Sequence, residues 1–257
     1  MTSKGWALVT GATAGIGESF SRLLASKGFN VALVARDEAR LHERAAGLRE
    51  KYGVQTFVLP ADLSTDSGCA LVEDYIRSYP MEVLINNAGF GIKAAFTSSE
   101  LTLEQQMLDV LVRTPMRLMH VIIPGMKERN SGTIINVSSV ASFIAGGTYS
   151  ASKSYLTVLS EALNTELSAT NIKVSALCPG FTRTEFHQRG KMRMTGLPNF
   201  MWLDADKLVA QSWKDAQANK PVSIPGWQYK LLVAIISTAP RSFVRKIGMN
   251  VRRKQRT

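Results

Sequence analysis

The sequence has few of the residues that build disulfide frameworks and metal centres. Among 257 residues there are 2 cysteines and 3 histidines. Cys69 and Cys178 lack the paired spacing of a disulfide framework or a zinc site, and no cluster of histidine, cysteine and acidic residues indicates another metal. We therefore expect no bound metal, and two thiols that pack in the interior of a protein from a reducing compartment.

Long apolar runs and linkers are also missing. The apolar run at residues 6–9 is too short for the core of a signal peptide and leads directly into a glycine-rich loop. No run approaches the roughly 20 apolar residues that cross a bilayer. Because no low-complexity tract, internal repeat or proline-rich linker divides the sequence, we expect a single cytoplasmic domain.

Acidic residues are absent from one stretch of this basic sequence. The formal net charge is +11, and from residue 241 onward there are seven cations and no acid. The remainder is only mildly basic and carries no nucleic-acid reading motif, which argues against binding to DNA or RNA. Apolar residues precede these cations at helical spacing, namely Trp227, Leu231, Leu232, Ile235 and Ile236.

Residues 226–257 are therefore interpreted as a basic amphipathic extension of a domain at residues 1–225. Two roles fit this pattern. The apolar stripe either packs over the substrate pocket or against another subunit, or it lies on anionic lipid as a peripheral membrane contact. A peripheral membrane scaffold is accordingly one functional class that the composition leaves open.

Short apolar runs alternate with segments of helical character. The runs lie at residues 7–9, 31–34, 56–59, 83–85, 133–137 and 173–177, and a seventh is expected at 222–224 after a helix at 204–218. Continuous rather than alternating apolar residues predict parallel strands that are buried on both faces. The sequence thus predicts an α/β fold, a Rossmann-like doubly wound parallel sheet of about seven strands.

A glycine-rich loop follows the first predicted strand. Gly11, Gly15 and Gly17 come directly after that strand and open a helix. Without side chains, the backbone can approach a pyrophosphate, which then contacts the exposed N–H groups of the helix N-terminus. An ordinary turn is the alternative, but this position between strand and helix predicts a dinucleotide-binding loop.

The end of the second strand bears on which dinucleotide binds. Enzymes that use NAD place an acid there to bind the ribose 2′-hydroxyl, whereas this sequence has Ala35 followed by Arg36. Arg36, with Arg40 one turn later, supplies cations where the 2′-phosphate of NADP would lie. Asp37 fits better as the N-cap of the next helix than as the ribose acid. NADP(H) is the predicted cofactor.

Tyr149 and Lys153 form a Tyr-x-x-x-Lys pair in a segment of helical character. On a helix, residues four apart share a face, so the ammonium can lie beside the phenol. A phenol ionises near pH 10, and a neighbouring cation favours its charged form. The pair is weak alone because both residues are common, but behind a dinucleotide-binding loop it predicts a tyrosine acid and base whose pKa is lowered by Lys153.

Several motifs occur together and in one order along the chain. They are the glycine loop at residues 10–17, Asp62-Leu63, Asn86-Asn87-Ala88-Gly89, a serine after the fifth strand, Tyr149-x-x-x-Lys153 and Pro179-Gly180. With these motifs, the chain resembles the short-chain dehydrogenase/reductase family from about residue 5 to residue 185. The resemblance implies cofactor contacts from Gly11, Thr13, Gly15, Ile16, Gly17, Arg36, Asp62, Leu63, Asn87, Ala88, Gly89, Tyr149, Lys153, Pro179, Gly180 and Thr182.

The resemblance also implies individual roles. Asp62 would bind the adenine edge and Leu63 would line its pocket, while the segment at 86–89 supports the sheet against the cofactor. Asn87 has an alternative as a plain turn residue. Ser139 would orient the substrate carbonyl, with Ser138 as the weaker candidate, and either serine is otherwise only the end of a strand.

The catalytic residues implied by the family are Ser139, Tyr149 and Lys153. Lys153 would also bind the nicotinamide ribose, and residues 179–182 would hold the carboxamide, with Thr182 as the hydroxyl. The implied reaction is the reversible, NADPH-dependent reduction of a ketone, aldehyde or 3-oxoacyl carbonyl to an alcohol. By the same resemblance, helices near 101–127 and 149–169 pair between subunits of a homodimer or homotetramer.

Two features depart from the family pattern. Family members commonly carry an asparagine thirteen residues before the proline of a Pro-x-Met sequence, and here that position is Leu111. Asp109 points elsewhere on the helix and is no substitute. In addition, Ser139 lies only ten residues before Tyr149, so the loop at 140–148 is short. These departures motivate an alternative function, a low-activity NADP(H)-binding regulatory or interaction protein.

A substrate lid is expected at about residues 183–203. Its apolar residues are Phe186, Met192, Met194, Leu197, Phe200, Met201 and Trp202, and they alternate with several cations. Such a lid favours an apolar carbonyl substrate, and the cations would suit an anionic carrier such as an acyl thioester.

Overall fold

The protein is described by a computed structural model that covers residues 4–185 and 198–245 together with residue 248. Seven strands form one sheet in the order β3-β2-β1-β4-β5-β6-β7, and every neighbouring pair is parallel. The strands are β1 (Trp6–Thr10), β2 (Asn30–Ala35), β3 (Thr56–Pro60), β4 (Met81–Asn86), β5 (Gly132–Val137), β6 (Ile172–Leu177) and β7 (Val222–Ser223). The predicted seven-stranded Rossmann-like fold is confirmed.

Helices connect the strands. They are α1 (Gly15–Ser26), α2 (Glu38–Tyr52), α3 (Asp66–Ser78), α4 (Leu101–Leu108), α5 (Thr114–Arg129), α6 (Thr148–Glu166), α7 (Ala205–Gln217) and α8 (Trp227–Thr238). A π-helical turn at Asp109–Arg113 joins α4 to α5, and short 3-10 helices lie at Phe96–Ser98, Val140–Phe143 and Asn199–Met201.

The sheet is buried on both faces, as the continuous apolar strands require. Adjacent strand residues point to opposite sides, so Leu84 belongs to one core cluster and Ile85 to the other. The first cluster includes Leu118 of α5, and the second includes Phe20 of α1 and Leu208 of α7. The sheet therefore lies between two layers of helices, and the loops that follow the strands leave it at their carboxyl ends.

The strand order reverses beside β1, which lies between β2 and β4. Loops that leave the carboxyl ends of β1 and β4 therefore run in opposite directions and open a crevice, the usual ligand position in such sheets. The glycine loop follows β1, the segment at 87–89 follows β4, Ser139 follows β5 and residues 179–182 follow β6. The topology thus brings motifs that are distant in sequence to one edge.

Cysteine and histidine, which are rare in the sequence, form no disulfide bond or metal centre within residues 4–185 and 198–245. Cys69 and Cys178 are buried and unpaired, as expected for packing thiols. Within residues 4–185 and 198–245, no group of three or more histidine, cysteine or acidic side chains is arranged to hold a metal ion. The helices in these ranges do not combine the length and apolar character that a bilayer crossing requires.

Candidate active site

The glycine loop has the close packing that a dinucleotide-binding loop needs. Gly11 and Gly15 adopt φ of +65° and +56°, which residues with a side chain rarely tolerate. A Cβ at Gly17 would lie 2.3 Å from the carbonyl oxygen of Gly11, so only glycine fits there. Ala14 precedes α1 and provides no side-chain cap, so the N–H groups of the first turn face the crevice without a capping side chain. An ordinary turn would not require this geometry.

Other residues of the loop support it from below. Thr13 is buried, and its carbonyl oxygen accepts a hydrogen bond from Arg40 at 3.3 Å. Ile16 lies in the first turn of α1, half-buried against the core cluster on that side of the sheet. Thr13 therefore ties the loop to α2, and Ile16 ties it to the core.

Asn87 joins the loop after β4 to the glycine loop. Its Nδ2 donates to the carbonyl oxygens of Thr10 at 2.9 Å and Gly11 at 3.2 Å. In return, the Thr10 hydroxyl accepts from the backbone N–H of Asn87 at 2.9 Å and of Ala88 at 3.0 Å. These four bonds make Asn87 a brace between two loops, which is more than the plain turn residue of the alternative interpretation. Ala88 and Gly89 follow it at the crevice.

Arg36 and Asp62 lie beyond the ends of β2 and β3. Arg36 is exposed, and Asp62 accepts hydrogen bonds from the Ser64 backbone at 3.0 Å and the Ser64 hydroxyl at 2.8 Å. Burial opposes ionisation of Asp62, but these hydrogen bonds and the charge of Arg36 hold its pKa below the usual value. Leu63 is buried beside it. An exposed cation and an ionised acid therefore flank this end of the crevice.

Asp37 acts as the N-cap of α2, as predicted. Its carboxylate accepts a hydrogen bond from the backbone N–H of Arg40 at 3.1 Å. Because the Asp37 carboxylate caps α2, Asp37 does not serve as the acid that binds a ribose. Ala35, at the end of β2, has no carboxylate. Arg36 is therefore the exposed charged side chain that directly follows the end of β2.

Arg40 has a partner that the sequence did not reveal. Its guanidinium donates to both carboxylate oxygens of Glu185, at 3.2 Å and 2.9 Å. The two residues are 145 positions apart, so no local pattern signals the contact. The predicted phosphate ligand Arg40 is therefore already engaged at the base of the expected lid.

The structure brings Ser139, Tyr149 and Lys153 together. Ser139 follows β5, its hydroxyl accepts from the Ala141 backbone at 3.1 Å, and it lies close enough to Tyr149 on α6 to act on the pKa of the phenol. The ammonium of Lys153, one turn further along α6, lies 5.7 Å from the centre of the Tyr149 ring. The short loop at 140–148 therefore does not separate the serine from the tyrosine.

Ser138 has a different position from its neighbour. Its hydroxyl is buried, donates to the carbonyl oxygen of Lys153 at 2.8 Å and lies 2.7 Å from the hydroxyl of Thr157. These bonds fasten α6 to the end of β5. Ser139, and not Ser138, therefore presents its hydroxyl to Tyr149.

Burial controls the ionisation of Tyr149 and Lys153. It raises the pKa of Tyr149 to about 12, although the hydrogen bond with Ser139 acts in the opposite direction. It lowers the pKa of Lys153 to about 8, although the electrostatic influence of Cys178 acts in the opposite direction. The Lys153 ammonium donates to the carbonyl oxygen of Val137 at 2.6 Å.

In this geometry Lys153 by itself does not lower the pKa of Tyr149, and the acidic phenol expected from the lysine together with a cofactor charge stays a prediction. The ammonium is directed to a backbone carbonyl, and desolvation of the phenolate outweighs its attraction to a cation at this separation. At neutral pH the tyrosine is protonated and most of the lysine carries its charge.

Leu111 lies within the π-helical turn between α4 and α5 and is 1% exposed. A Cβ at Gly89 would lie 2.6 Å from Leu111 Cδ2 and 3.9 Å from the Lys153 ammonium, so all three meet. Asp109 forms an ion pair with Arg113 at 3.0 Å and does not replace the family asparagine. An apolar side chain therefore borders the lysine.

The loop after β6 is held by a tyrosine that sequence reasoning missed. Pro179 is buried, and a Cβ at Gly180 would lie 2.0 Å from the ring of Tyr229 on α8. The Phe181 backbone donates to the Tyr229 hydroxyl at 3.0 Å. Thr182 is buried, and its hydroxyl donates to the Gly180 carbonyl at 3.0 Å. The only sequence signal for Tyr229 is its place in the helical segment at 226–257.

Only the ends of the expected lid are described, because residues 186–197 lie outside the described part of the chain. Arg183 lies over the ring of Trp202 at 5.7 Å and donates to Asn199 at 3.2 Å. The Leu203 backbone donates to Phe181 at 2.8 Å. The two ends of the segment are therefore joined beside the site.

Comparisons with known proteins agree with this geometry. The family model described as short chain dehydrogenase matches residues 5–193. A very-long-chain 3-oxoacyl-CoA reductase of Laccaria bicolor is 40% identical over 182 residues, which cover 67% of this chain and 53% of that protein. The inactive hydroxysteroid dehydrogenase-like protein 1 of Homo sapiens is 31% identical over 202 residues, which cover 76% of this chain and 59% of that protein.

A solved structure covers nearly the whole chain. The short-chain dehydrogenase from Sphingobium yanoikuyae in complex with NADPH aligns with a TM-score of 0.83 and 30% identity, over 92% of this chain and 96% of that chain. By contrast, the chain spans little more than half the length of the two curated relatives. The family match over residues 5–193, together with the geometry at the carboxyl edge of the sheet, shows that the chain belongs to the short-chain dehydrogenase family.

Proposed function

We propose that this protein is an NADP(H)-dependent oxidoreductase that reduces an apolar carbonyl compound to an alcohol in a reversible reaction. The observation that carries the proposal is the convergence of three side chains at the carboxyl edge of the sheet: Ser139 lies close enough to Tyr149 to act on the pKa of its phenol, and the Lys153 ammonium lies 5.7 Å from the centre of the Tyr149 ring. A bound nicotinamide cofactor supplies the hydride. The residues of this chain orient the carbonyl, supply the proton and exclude water.

Proton donation is the proposed role of Tyr149. Because burial raises the pKa of the phenol to about 12, the side chain is protonated at neutral pH and holds the proton that a carbonyl oxygen needs during reduction. Ser139 donates a second hydrogen bond to that oxygen and stabilises its developing charge. The protonated phenol is thus the form of Tyr149 that a carbonyl reduction requires.

Lys153 is proposed to bind the ribose and to favour proton transfer through its charge. With a pKa of about 8, most of its side chain remains an ammonium at neutral pH in spite of burial. The hydrogen bond to Val137 fixes the ammonium at the end of β5. The Lys153 ammonium is thus held at the end of β5, two residues before Ser139, and on the same helix as Tyr149.

NADP(H) is the proposed cofactor because a cation, and no acid, projects at the end of β2. Arg36 is exposed there, Ala35 precedes it, and Asp37 is used as a helix cap. A guanidinium forms charge-assisted hydrogen bonds with a phosphate, whereas an acid would repel it. The solved relative in complex with NADPH is consistent with this preference.

The proposed substrate is an apolar ketone, aldehyde or 3-oxoacyl compound. The relative from Laccaria bicolor is named a very-long-chain 3-oxoacyl-CoA reductase. In this chain, Trp202 and Phe181 place their rings 6.1 Å apart at the end of the expected lid, with Arg183 over the indole. An aromatic wall with a cation at its rim suits an apolar chain attached to an anionic group.

A second candidate is a low-activity NADP(H)-binding regulatory or interaction protein of the same fold. The apolar Leu111 beside Gly89 and Lys153 supports it, as does a relative named inactive. Retention of the serine, tyrosine and lysine side chains at one edge favours the enzyme.

The proposed oligomer is a homodimer or homotetramer through α4, α5 and α6. Large apolar side chains on these helices are exposed in the single chain, namely Leu101, Leu108, Met116, Tyr155 and Val158. Burying such side chains between subunits would stabilise an assembly. Light scattering of the purified protein tests this assignment, and a monomer at all concentrations would refute it.

A panel of 3-oxoacyl thioesters, ketones and aldehydes distinguishes the two candidate functions when NADPH consumption is measured by absorbance. The proposed enzyme activity predicts that NADPH is oxidised only when a substrate is present. The rate of this oxidation should fall at least about 100-fold in Tyr149→Phe, because the proton donor is lost. NADPH affinity should stay close to that of the wild type in this variant. Tight NADPH binding without turnover of any compound would favour the regulatory protein, and near-normal turnover of Tyr149→Phe would refute the proton-donor assignment.

A further inference from the structure

One face of α8 is apolar and exposed. Trp227, Leu231 and Ile235 are 70%, 56% and 51% exposed, and their spacing of four residues aligns them along the helix. We call these three residues the α8 stripe. The opposite face of the helix is buried through Tyr229, Val233 and Ile236. The helix is thus already anchored to the domain by one apolar face, while the second faces solvent in the described part of the chain.

The part of the sequence that contains this stripe is rich in positive charge. After Asp215 the sequence contains nine lysine and arginine residues and no acid up to residue 257, so this stretch carries most of the formal net charge of +11. The cations are Lys220, Lys230, Arg241, Arg245, Lys246, Arg252, Arg253, Lys254 and Arg256. Among those that the structure describes, Lys230, Arg241 and Arg245 are exposed near the stripe in sequence.

We propose that the α8 stripe docks on the surface of an anionic membrane, with its three apolar side chains in the interface and the neighbouring cations on the lipid headgroups. A bilayer surface offers an apolar layer directly below a layer of negative charge, which matches both properties of this segment. The proposal goes beyond the proposed function and does not depend on it.

A second copy of the chain fits the stripe less well. A two-fold interface brings the same patch of both subunits together, so two stretches without acids would face each other. Like charges at close range destabilise such a contact. A nucleic acid would match the cations but would leave the indole and the two aliphatic side chains without a partner. Charge complementarity therefore selects an anionic lipid surface.

The docked helix is packed directly on the candidate active site. Tyr229, on the buried face of α8, lies against Gly180 in the loop after β6. Gln228 donates to the carbonyl oxygen of Phe200 at 2.9 Å, and the Phe200 side chain is 61% exposed at the end of the expected lid. Membrane docking would therefore place the lid end of the crevice beside the bilayer, where apolar compounds dissolve.

Flotation of the full chain with vesicles tests the proposal. One vesicle contains phosphatidylcholine alone, and the other an equal mixture of phosphatidylcholine and phosphatidylglycerol. We expect binding to the mixed vesicles, weaker binding at high salt, and a partition coefficient at least about tenfold lower for Leu231→Glu/Ile235→Glu, because two apolar side chains no longer enter the interface. Leu71→Glu is the matched control, because Leu71 is an exposed leucine on α3 and should have no effect.

Three results would overturn the proposal: no binding of the wild type to mixed vesicles, equal binding of the double variant, or an equal loss in Leu71→Glu. A dimer that the double variant dissociates, without vesicle binding, would assign the stripe to a second copy and overturn it as well. Thermal unfolding checks the fold of each variant. If the double variant is unfolded, quenching of tryptophan fluorescence by brominated lipid provides a second test. Quenching in the wild type that is lost in Trp227→Phe supports docking, and no quenching in the wild type refutes the proposal.

Discussion

Arg40 on α2 holds the carboxylate of Glu185 through two hydrogen bonds, and the same guanidinium donates to the carbonyl oxygen of Thr13 in the glycine loop. One side chain thus connects the cofactor loop to the start of the expected lid. The ion pair raises the pKa of Arg40, chiefly through the hydrogen bond to Glu185. Any 2′-phosphate that approaches Arg40 must compete with this carboxylate.

Substitution of Glu185 by glutamine should strengthen NADPH binding. Removing the carboxylate charge frees Arg40 for the phosphate, and because both side chains are partly exposed we expect a change of only about fivefold in Kd. NADH lacks the phosphate and serves as the control ligand in calorimetry of both proteins. An equal change for NADPH and NADH would contradict the proposed competition.

Arg36 should carry most of the preference for NADPH over NADH. Loss of a charge-assisted contact to phosphate in Arg36→Ala should weaken NADPH binding roughly 10-fold or more, with little effect on NADH. Lys51→Ala removes another exposed cation, at the far end of α2, and is the matched control. If both variants lose NADPH affinity equally, the effect is one of general charge and the assignment of Arg36 fails.

Lys153 should make the stability of the protein depend on alkaline pH. Burial lowers its pKa in the folded state to about 8 from an ordinary value of 10.5, so the unfolded chain binds more protons between these values. Burial of the charged lysine therefore lowers the free energy of unfolding by its full amount below pH 8, and this destabilisation decreases as the pH rises. Relative to Lys153→Met, the wild type should gain about 2 kcal/mol of unfolding free energy between pH 8 and pH 10.

Urea unfolding of the wild type and of Lys153→Met at several pH values measures this difference. Because the phenol of Tyr149 has a pKa raised to about 12, its own effect begins above pH 10 and is shared by both proteins. A difference between the two proteins that is constant with pH would show that the lysine is not desolvated as the structure indicates.

Leu111→Asn tests whether the apolar residue beside Lys153 limits turnover. An amide at this position can hold water near the ammonium, so we expect kcat for carbonyl reduction to rise several-fold. Stability should fall by about 2 kcal/mol or more, because the leucine is buried and the amide lacks prepared partners. Thermal unfolding and steady-state kinetics measure the two effects.

The control for this experiment is Leu111→Ala, which opens space without adding a polar group. A similar rise in kcat for both variants would assign the effect to space for water, and a rise for asparagine alone would assign it to the amide. Unchanged kcat in both would show that Leu111 does not limit the reaction.

Features that depend on neighbours in sequence could be predicted from the sequence. The parallel sheet follows from continuous apolar strands, since each strand buries both faces whatever its partners are. The cap formed by Asp37 was predictable because its partner, the Arg40 N–H, is three residues away. The spacing of Gly11, Gly15 and Gly17 indicates the loop for the same reason, since the close approach that excludes side chains lies within it.

Contacts between distant segments were decided only by the tertiary structure. Glu185 meets Arg40 across 145 residues, and Tyr229 reaches Gly180 from a helix that follows the last strand. The sequence predicted that a neighbouring cation would acidify Tyr149, but the pKa depends on how far both groups are removed from water and where the ammonium points. The sequence by itself indicated the motifs that meet at the carboxyl edge of the sheet, whereas packing determined the ionisation of their side chains, because desolvation arises from the whole surrounding fold.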